Sequence, residues 1–319
     1  MKIGIQTPPE HTDFAALEAV WDAIDELGFA AAFTFDHLVP LNPGARPGGP
    51  GGVPDGPQFE GWATLCALAA RTTNVQVGTL VSGVTYRHPA MLAKMAVTLD
   101  HITRGRAILG LGAAWHEAEH QMYGIDFPGV GERMGRLDEA LEVIGRLCRA
   151  DRDDTVDFDG RYYQLQGAPF DPKPVRPEGL PILVGGSGPR LKGIATRHAT
   201  IFNSFAAPWE WPEVNADLDE RLTAAGRGPG DLMRTAFVFC ELSGDPTAED
   251  ALVAHFQKNR GGTDEEVRRR VVVGSPDQMA AVLNGYADAG MEMAIMNLRP
   301  PYPLEGLERF AREVLPALG

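Results

Sequence analysis

The chain has 319 residues, 43 of them acidic and 29 basic, for a formal net charge of −14. That balance excludes a broad nucleic-acid or anionic-membrane surface, and an anionic ligand must then be met by a local pocket. Cys66, Cys148 and Cys240 are too scattered for a disulfide framework or a metal site, no apolar run approaches the roughly 18 residues of a membrane span, and Met1-Lys2 leads straight into a strand, so a cytoplasmic protein with a small-molecule partner is expected.

In chain order, apolar runs predict strands over Lys2–Gln6, Ala31–Phe35, Val75–Val81, Arg106–Gly112, Pro181–Gly185, Thr200–Ser204, Thr235–Cys240 and Met293–Leu298. Each is followed by a helix-period segment: Phe14–Leu27, Trp62–Arg71, Pro89–His101, Arg133–Arg149, Pro189–Arg197, Pro212–Ala225, the pair Ala248–Lys258 and Pro276–Ala289, and Leu307–Leu318. Eight β-then-α units whose strands are apolar on both faces predict a closed (β/α)₈ barrel, an α/β fold, rather than an open doubly wound sheet. No linker divides the chain, so one domain over 1–319 is expected. Its insertions fall near 40–57, which is too rich in Gly and Pro for a helix; 151–177, with a hairpin around Asp159-Gly160; and 241–275, which carries the extra helix and Gly261–Gly274.

Barrel active sites lie where the strands end, and polar residues gather there in this chain. Asp36-His37 follows strand 2, Ser82 to His88 strand 3, Trp115-His116-Glu117 strand 4, Gly185-Gly186-Ser187-Gly188 strand 5 and Asn203-Ser204 strand 6. An imidazole suits proton transfer near neutrality, which makes His37 the candidate acid/base. Asp36 could orient it, although adjacent strand residues point to opposite sides. The four small residues 185–188 ahead of Pro189 expose backbone amides at a helix start, the arrangement that receives a phosphate, with Arg190 and Lys192 close enough to help; tight βα packing accounts for the same glycines equally well. Trp115 offers a flat wall for an aromatic ligand or simple loop-to-helix packing.

His116-Glu117-Ala118-Glu119-His120 also matches H-E-x-x-H, the zinc hydrolase pattern. It directly follows the glycine-rich strand end Leu109-Gly110-Leu111-Gly112, and Tyr123-Gly124 with Pro128 ends any helix within about two turns, too short to hold two ligands rigidly. No metal is expected, and a zinc hydrolase built on this pattern is the less favoured alternative.

Together these residues resemble the luciferase-like flavin oxidoreductase superfamily, and within it the branch using the deazaflavin coenzyme F420. The likeness rests on Asp36-His37, VGTLVSGVTYRHPAMLAK at 77–94, ITRGRAILGLGAAWHEAEHQMYGIDFP at 102–128, Phe158-Asp159-Gly160-Arg161-Tyr162-Tyr163, PILVGGSGPR at 181–190 and VVVGSPDQM at 271–279, and covers essentially the whole chain. That branch commonly reads G-W-H-E-A-E-H in the strand-4 motif, where this chain has Ala114 in place of the Gly.

The resemblance implies hydride transfer between carbon 5 of F420 and a small organic substrate, with His37 as catalytic acid/base or as stabiliser of the N1 side of the ring, and Glu117 as a second catalytic candidate. It further implies that Thr79, Leu80, Val81 and Ser82 form a bulge behind the ring, often with a non-proline cis peptide in this superfamily. Asp36, Gly112 and Ala113 join the cofactor-binding set, Gly185, Gly186, Ser187 and Gly188 hold the coenzyme phosphate, and Trp115, His116 and Asn203 border the substrate. Relatives acting on sugar phosphates surround the pocket with lysines, which FNSFAAPWEW at 202–211 lacks, so an apolar or aromatic carbonyl, alkene or alcohol is expected. The alternative within the same fold is a two-component monooxygenase using FMN, since nitrogen at ring position 5 sustains the peroxide chemistry that carbon does not. A flavin-binding protein without turnover is a further alternative. Relatives imply a homodimer.

Overall fold

A computed structural model describes residues 1–41 and 55–318, so most of the expected insertion at 40–57 lies outside the described residues. Its centre is a closed parallel barrel of β1 (Lys2–Gln6), β2 (Ala31–Thr34), β3 (Gln76–Thr79), β4 (Ala107–Gly112), β5 (Ile182–Gly185), β6 (Ile201–Ser204), β7 (Met233–Phe239) and β8 (Met293–Asn297). β1 pairs with β8, Gly4 opposite Ile295, and the ring closes between β3 and β4, where Val77 opposes Ala107 and Gly78 opposes Ile108. Around it run α1 (Phe14–Glu26), α2 (Gly61–Ala69), α3 (Pro89–Ile102), α4 (Glu117–Tyr123), α5 (Val130–Arg149), α6 (Pro189–His198), α7 (Trp211–Ala224), α8 (Pro246–Arg260), α9 (Asp264–Arg268), α10 (Pro276–Asp288) and α11 (Leu304–Glu313). No helix among the described residues is long and apolar enough to cross a membrane.

The two-residue period of each strand divides its apolar residues between two cores. Ala31, Phe33, Ile108, Leu183, Ile201, Met293 and Ile295 fill the barrel. Ile3, Ile5, Ala32, Leu109 and Leu111 point outward into the larger core under the helices. This is why the strands read as apolar on both faces. The helix ends follow local chemistry: Asp13 accepts from the Ala16 amide at 2.8 Å to start α1, Ser275 and Gln278 form a reciprocal capping box on α10, and Gly124, in the left-handed region at φ 65°, ends α4.

Beyond β3 the chain breaks step. A cis peptide joins Leu80 to Val81, and Ser82–Gly83 then resumes pairing alongside Leu111 and Gly112 of β4. The approach is close enough to demand glycine at position 110, since a Cβ there would lie 1.9 Å from the Thr79 carbonyl oxygen, a backbone atom with nowhere to go. Gly110→Ala should therefore cost more than the usual 1–3 kcal/mol of an overpacked core. Gly129→Ala, where an added Cβ meets nothing, should stay within about 1 kcal/mol. Urea midpoints compare the two, and equal midpoints would remove this account of the β3–β4 seam.

The expected hairpin is present, Thr155–Asp159 antiparallel to Gln164–Pro169. Glu139 of α5 holds its turn by accepting from the amides of Arg161, Tyr162 and Tyr163 at 2.9, 2.8 and 3.2 Å. In the 241–275 insertion, α8 and α9 form a small core of their own, with Leu252, Val253, Phe256, Val267, Val271 and Val273 buried together. Two short helices, α4 and α9, lie outside the helix-period segments expected from the sequence.

Candidate active site

A cavity of about 620 Å³ opens at the carboxyl ends of the barrel strands, within the range of about 300–1,000 Å³ usual for small-molecule sites. Its wall includes Asp36, His37, Leu80, Val81, Ser82, Gly112, Ala113, Trp115, Gly185, Gly186, Ser187, Gly188 and Asn203. Residues as far apart in sequence as Gln6 and Arg299 thus meet at one opening, because every βα junction delivers its first residues to the same end. Thr79, His116 and Glu117 do not line it. Thr79 is fully buried behind the wall, donating to the Gly110 carbonyl at 3.1 Å and meeting the Ser82 hydroxyl at 3.2 Å. His116 stacks on Trp115 with ring centroids 4.9 Å apart, and burial holds its imidazole below the ordinary value.

His37 continues the inward set of β2, after Phe33 and Phe35, and that parity brings it to the cavity. Its ring stands edge-on to Phe35 and Trp115, with centroids 5.1 and 5.6 Å away. The orienting carboxylate is not its neighbour Asp36. Asp36 points the other way and receives Arg87 Nη1 and Nη2 at 2.5 and 3.2 Å. Burial pushes the Asp36 carboxyl up from its ordinary value, and the Arg87 guanidinium opposes that rise.

His37 Nδ1 instead meets Glu119 Oε1 at 2.8 Å. Glu119 is completely buried, accepts from the Leu38 amide at 2.7 Å, and also receives the Tyr86 hydroxyl. Burial alone would raise its carboxyl, but these donors outweigh it and bring the pKa down to about 2. The same environment, burial first and the carboxylate second, drives the Tyr86 phenol upward, so Tyr86 stays a neutral donor. With Glu119 ionised, His37 carries its proton on Nδ1, and Nε2, which makes no hydrogen bond among the described residues, is the nitrogen left to the cavity.

The carboxylate that engages His37 is thus Glu119 and not the candidate Glu117 of the same motif. The two lie roughly 200° apart around a helix, so only one can face His37; Glu117 is exposed and accepts from Gln121 at 3.2 Å. The second histidine of the H-E-x-x-H match is also committed elsewhere. His120 is buried with Nε2 at 2.7 Å from the Thr85 hydroxyl and Nδ1 at 2.8 Å from the His116 carbonyl.

At the phosphate-type loop, Gly186 has φ 142°, and its amide donates to the Asn203 carbonyl at 2.9 Å. The amides of Ser187 and Gly188 make no hydrogen bond among the described residues, and Gly188 caps α6 without a side chain, so an anion can be received there by backbone alone. The two cations expected to assist are engaged. Lys192 pairs with Asp217, and Arg190 donates to the Gly131 carbonyl at 2.9 Å. The far wall, unremarked in the sequence, is aromatic and basic: Phe205, Phe237, Phe239, Arg260 and Arg299, with Asn297 and Gln6 below.

Comparison with known proteins is consistent along the chain. The family described as luciferase-like monooxygenase matches residues 1–293. F420-dependent glucose-6-phosphate dehydrogenases of Kineococcus radiotolerans and Microbacterium testaceum are 29% and 28% identical, over 100% and 98% of this chain and 97% and 94% of theirs. Among solved structures, an F420-dependent secondary alcohol dehydrogenase in complex with an F420-acetone adduct has a TM-score of 0.82 at 19% identity, covering 100% of this chain and 99% of that one. The coenzyme F420 dependent tetrahydromethanopterin reductase from Methanopyrus kandleri has a TM-score of 0.76 at 18% identity, with the same coverage. A monooxygenase from Streptomyces bottropensis has a TM-score of 0.75 at 22% identity, covering 99% of each chain. At these identities the solved structures establish the shared barrel fold.

Proposed function

Because this chain belongs to the luciferase-like monooxygenase family and is an oxidoreductase of that barrel fold, we propose that its cavity holds coenzyme F420 and serves hydride exchange with a small organic carbonyl or alcohol. The observation that carries the reading is the buried His37–Glu119 pair, with His37 on the same cavity as the 185–188 loop and its free backbone amides. The full-length relatives named above are F420-dependent, which supports the deazaflavin over FMN.

The residues present fit such a coenzyme. Leu80, Val81, Gly112 and Ala113 form a flat, apolar backing for a ring, and the Ser187 and Gly188 amides with the start of α6 would take its phosphate. When bound, F420 supplies a two-electron carrier at carbon 5 of its ring. His37 Nε2 then gives or takes the proton at the substrate oxygen, while Glu119 fixes the tautomer and stabilises the imidazolium. Trp115 and Asn203 border the space for substrate. Asp36, paired with Arg87, acts as a structural support beneath the ring rather than as the partner of His37.

Titration of the purified protein with F420 and with FMN, followed by fluorescence quenching, tests the coenzyme assignment. Micromolar or tighter F420 binding, with FMN at least tenfold weaker, is the expected result. The opposite order would move the protein to the FMN-dependent monooxygenase reading, and failure of both to bind would end the proposal.

A further inference from the structure

The cavity wall divides into two unlike arcs. Beyond β3, β4 and β5 it carries no cation and is formed largely by Leu80, Val81, Gly112, Ala113 and the 185–188 backbone, whereas beyond β6, β7 and β8 it presents phenyl rings and the guanidinium of Arg299, joined by that of Arg260 from α8. Phe205 and Phe237 have centroids 4.9 Å apart, and Phe237 meets Phe239 at 5.4 Å. Arg260, from the exposed end of α8, lies over Phe205 with Cζ 4.7 Å from the ring centre, and Arg299 lies over Phe239 at 5.4 Å. A guanidinium resting on a ring keeps its in-plane N–H groups for another partner.

Neither arginine has that partner among the described residues. Arg299 is held by one bond, Nε to Asn297 Oδ1 at 3.0 Å, and its two terminal nitrogens make none. Arg260 makes no hydrogen bond and no ion pair. Glu10 and Glu241 act on Arg299, and Glu210 on Arg260, only through space. This is unexpected in a chain with 43 acidic residues, where Arg87, Arg197 and Arg234 each reach a carboxylate. Arg299, largely withdrawn from water, is costly until an anion joins it, Arg260 stands at the open rim of the same wall, and a planar fork suits a carboxylate.

We infer that the substrate has a flat apolar body, packed on Phe205, Phe237 and Phe239, and a carboxylate-class group received between Arg260 and Arg299. The assignment rests on reading this cavity as a joint coenzyme and substrate site. It narrows the substrate to aryl or similarly flat carbonyl or alcohol compounds bearing an acid, and makes Arg260 and Arg299 determinants of specificity rather than catalytic residues.

Calorimetric titration of the coenzyme-free protein with 4-acetylbenzoate and with neutral acetophenone at low salt tests it. The acid should bind at least tenfold more tightly, with an advantage that shrinks as salt is added. Arg299→Gln and Arg260→Gln should each remove most of that advantage and leave acetophenone affinity within about twofold; Arg260, being exposed, keeps the test available if Arg299→Gln weakens folding. Equal or tighter binding of the ketone, no binding of either at millimolar concentration, or an acid preference that survives both substitutions overturns the inference. F420 titration of the same preparation separates the two claims. Coenzyme binding without an acid preference sinks the substrate assignment alone, and an acid preference without coenzyme binding sinks the F420 reading alone.

Discussion

His37→Ala should lower turnover by about 10²–10⁴-fold, the usual contribution of a positioned acid or base. Coenzyme affinity should change by no more than a few-fold, because the residues proposed to back the ring and take the phosphate lie on β3, β4 and β5. Folding should also be little affected. His37 retains some exposure at the cavity, and the substitution removes one donor from a carboxylate that keeps two others, the Leu38 amide and the Tyr86 hydroxyl. The informative pattern is thus a fall in kcat with a nearly constant coenzyme Kd. Unchanged turnover would remove His37 from catalysis, and a proportional loss of coenzyme binding would make it a binding residue instead.

Removing Glu119 should be more damaging to the fold. Glu119→Leu leaves His37, Tyr86 and the Leu38 amide facing an apolar side chain at a fully buried position, and breaking a buried pair of this kind costs about 3–5 kcal/mol. Glu119→Gln keeps one acceptor oxygen and should fold, but it no longer enforces the proton on Nδ1, so turnover should drop by a factor approaching that of His37→Ala. The pH dependence has a definite sign. The Glu119 carboxyl is depressed from 4.5 to about 2 in the folded protein, so its contribution is fully present above about pH 4.5 and is lost as pH falls toward 2. The urea-midpoint gap between wild type and Glu119→Gln should therefore be constant from pH 7 to 5 and shrink below that. A gap that grows on acidification would contradict the buried, ionised carboxylate.

Much of this was legible from the chain. The eight strands follow from apolar runs bounded by glycine and proline, because a parallel strand covered on both faces must be apolar throughout. Parity along β2 carries His37 to the same side as Phe33 and Phe35. Other features depend on where the backbone turns. Glu119 sits in a motif whose phase is set by Ala114, at φ 61°, and without that turn nothing in the sequence says which of Glu117 and Glu119 faces inward, although their opposite helical faces required a choice. Phe237 and Phe239 read as ordinary strand residues, since the same side chains would serve a closed core. Arg260 reaches the cavity from the end of α8, inside the 241–275 insertion and outside every strand-end motif, a contact visible only in three dimensions. Lys192 appeared free for an anion because its partner, Asp217, lies a helix further on.

The most direct test is a crystal structure of the protein with F420. The expected result is a ring resting against Leu80, Val81 and Gly112, with His37 Nε2 at its edge and the phosphate on the Ser187 and Gly188 amides. A coenzyme lying elsewhere, or with its phosphate held by side chains remote from the start of α6, would contradict it.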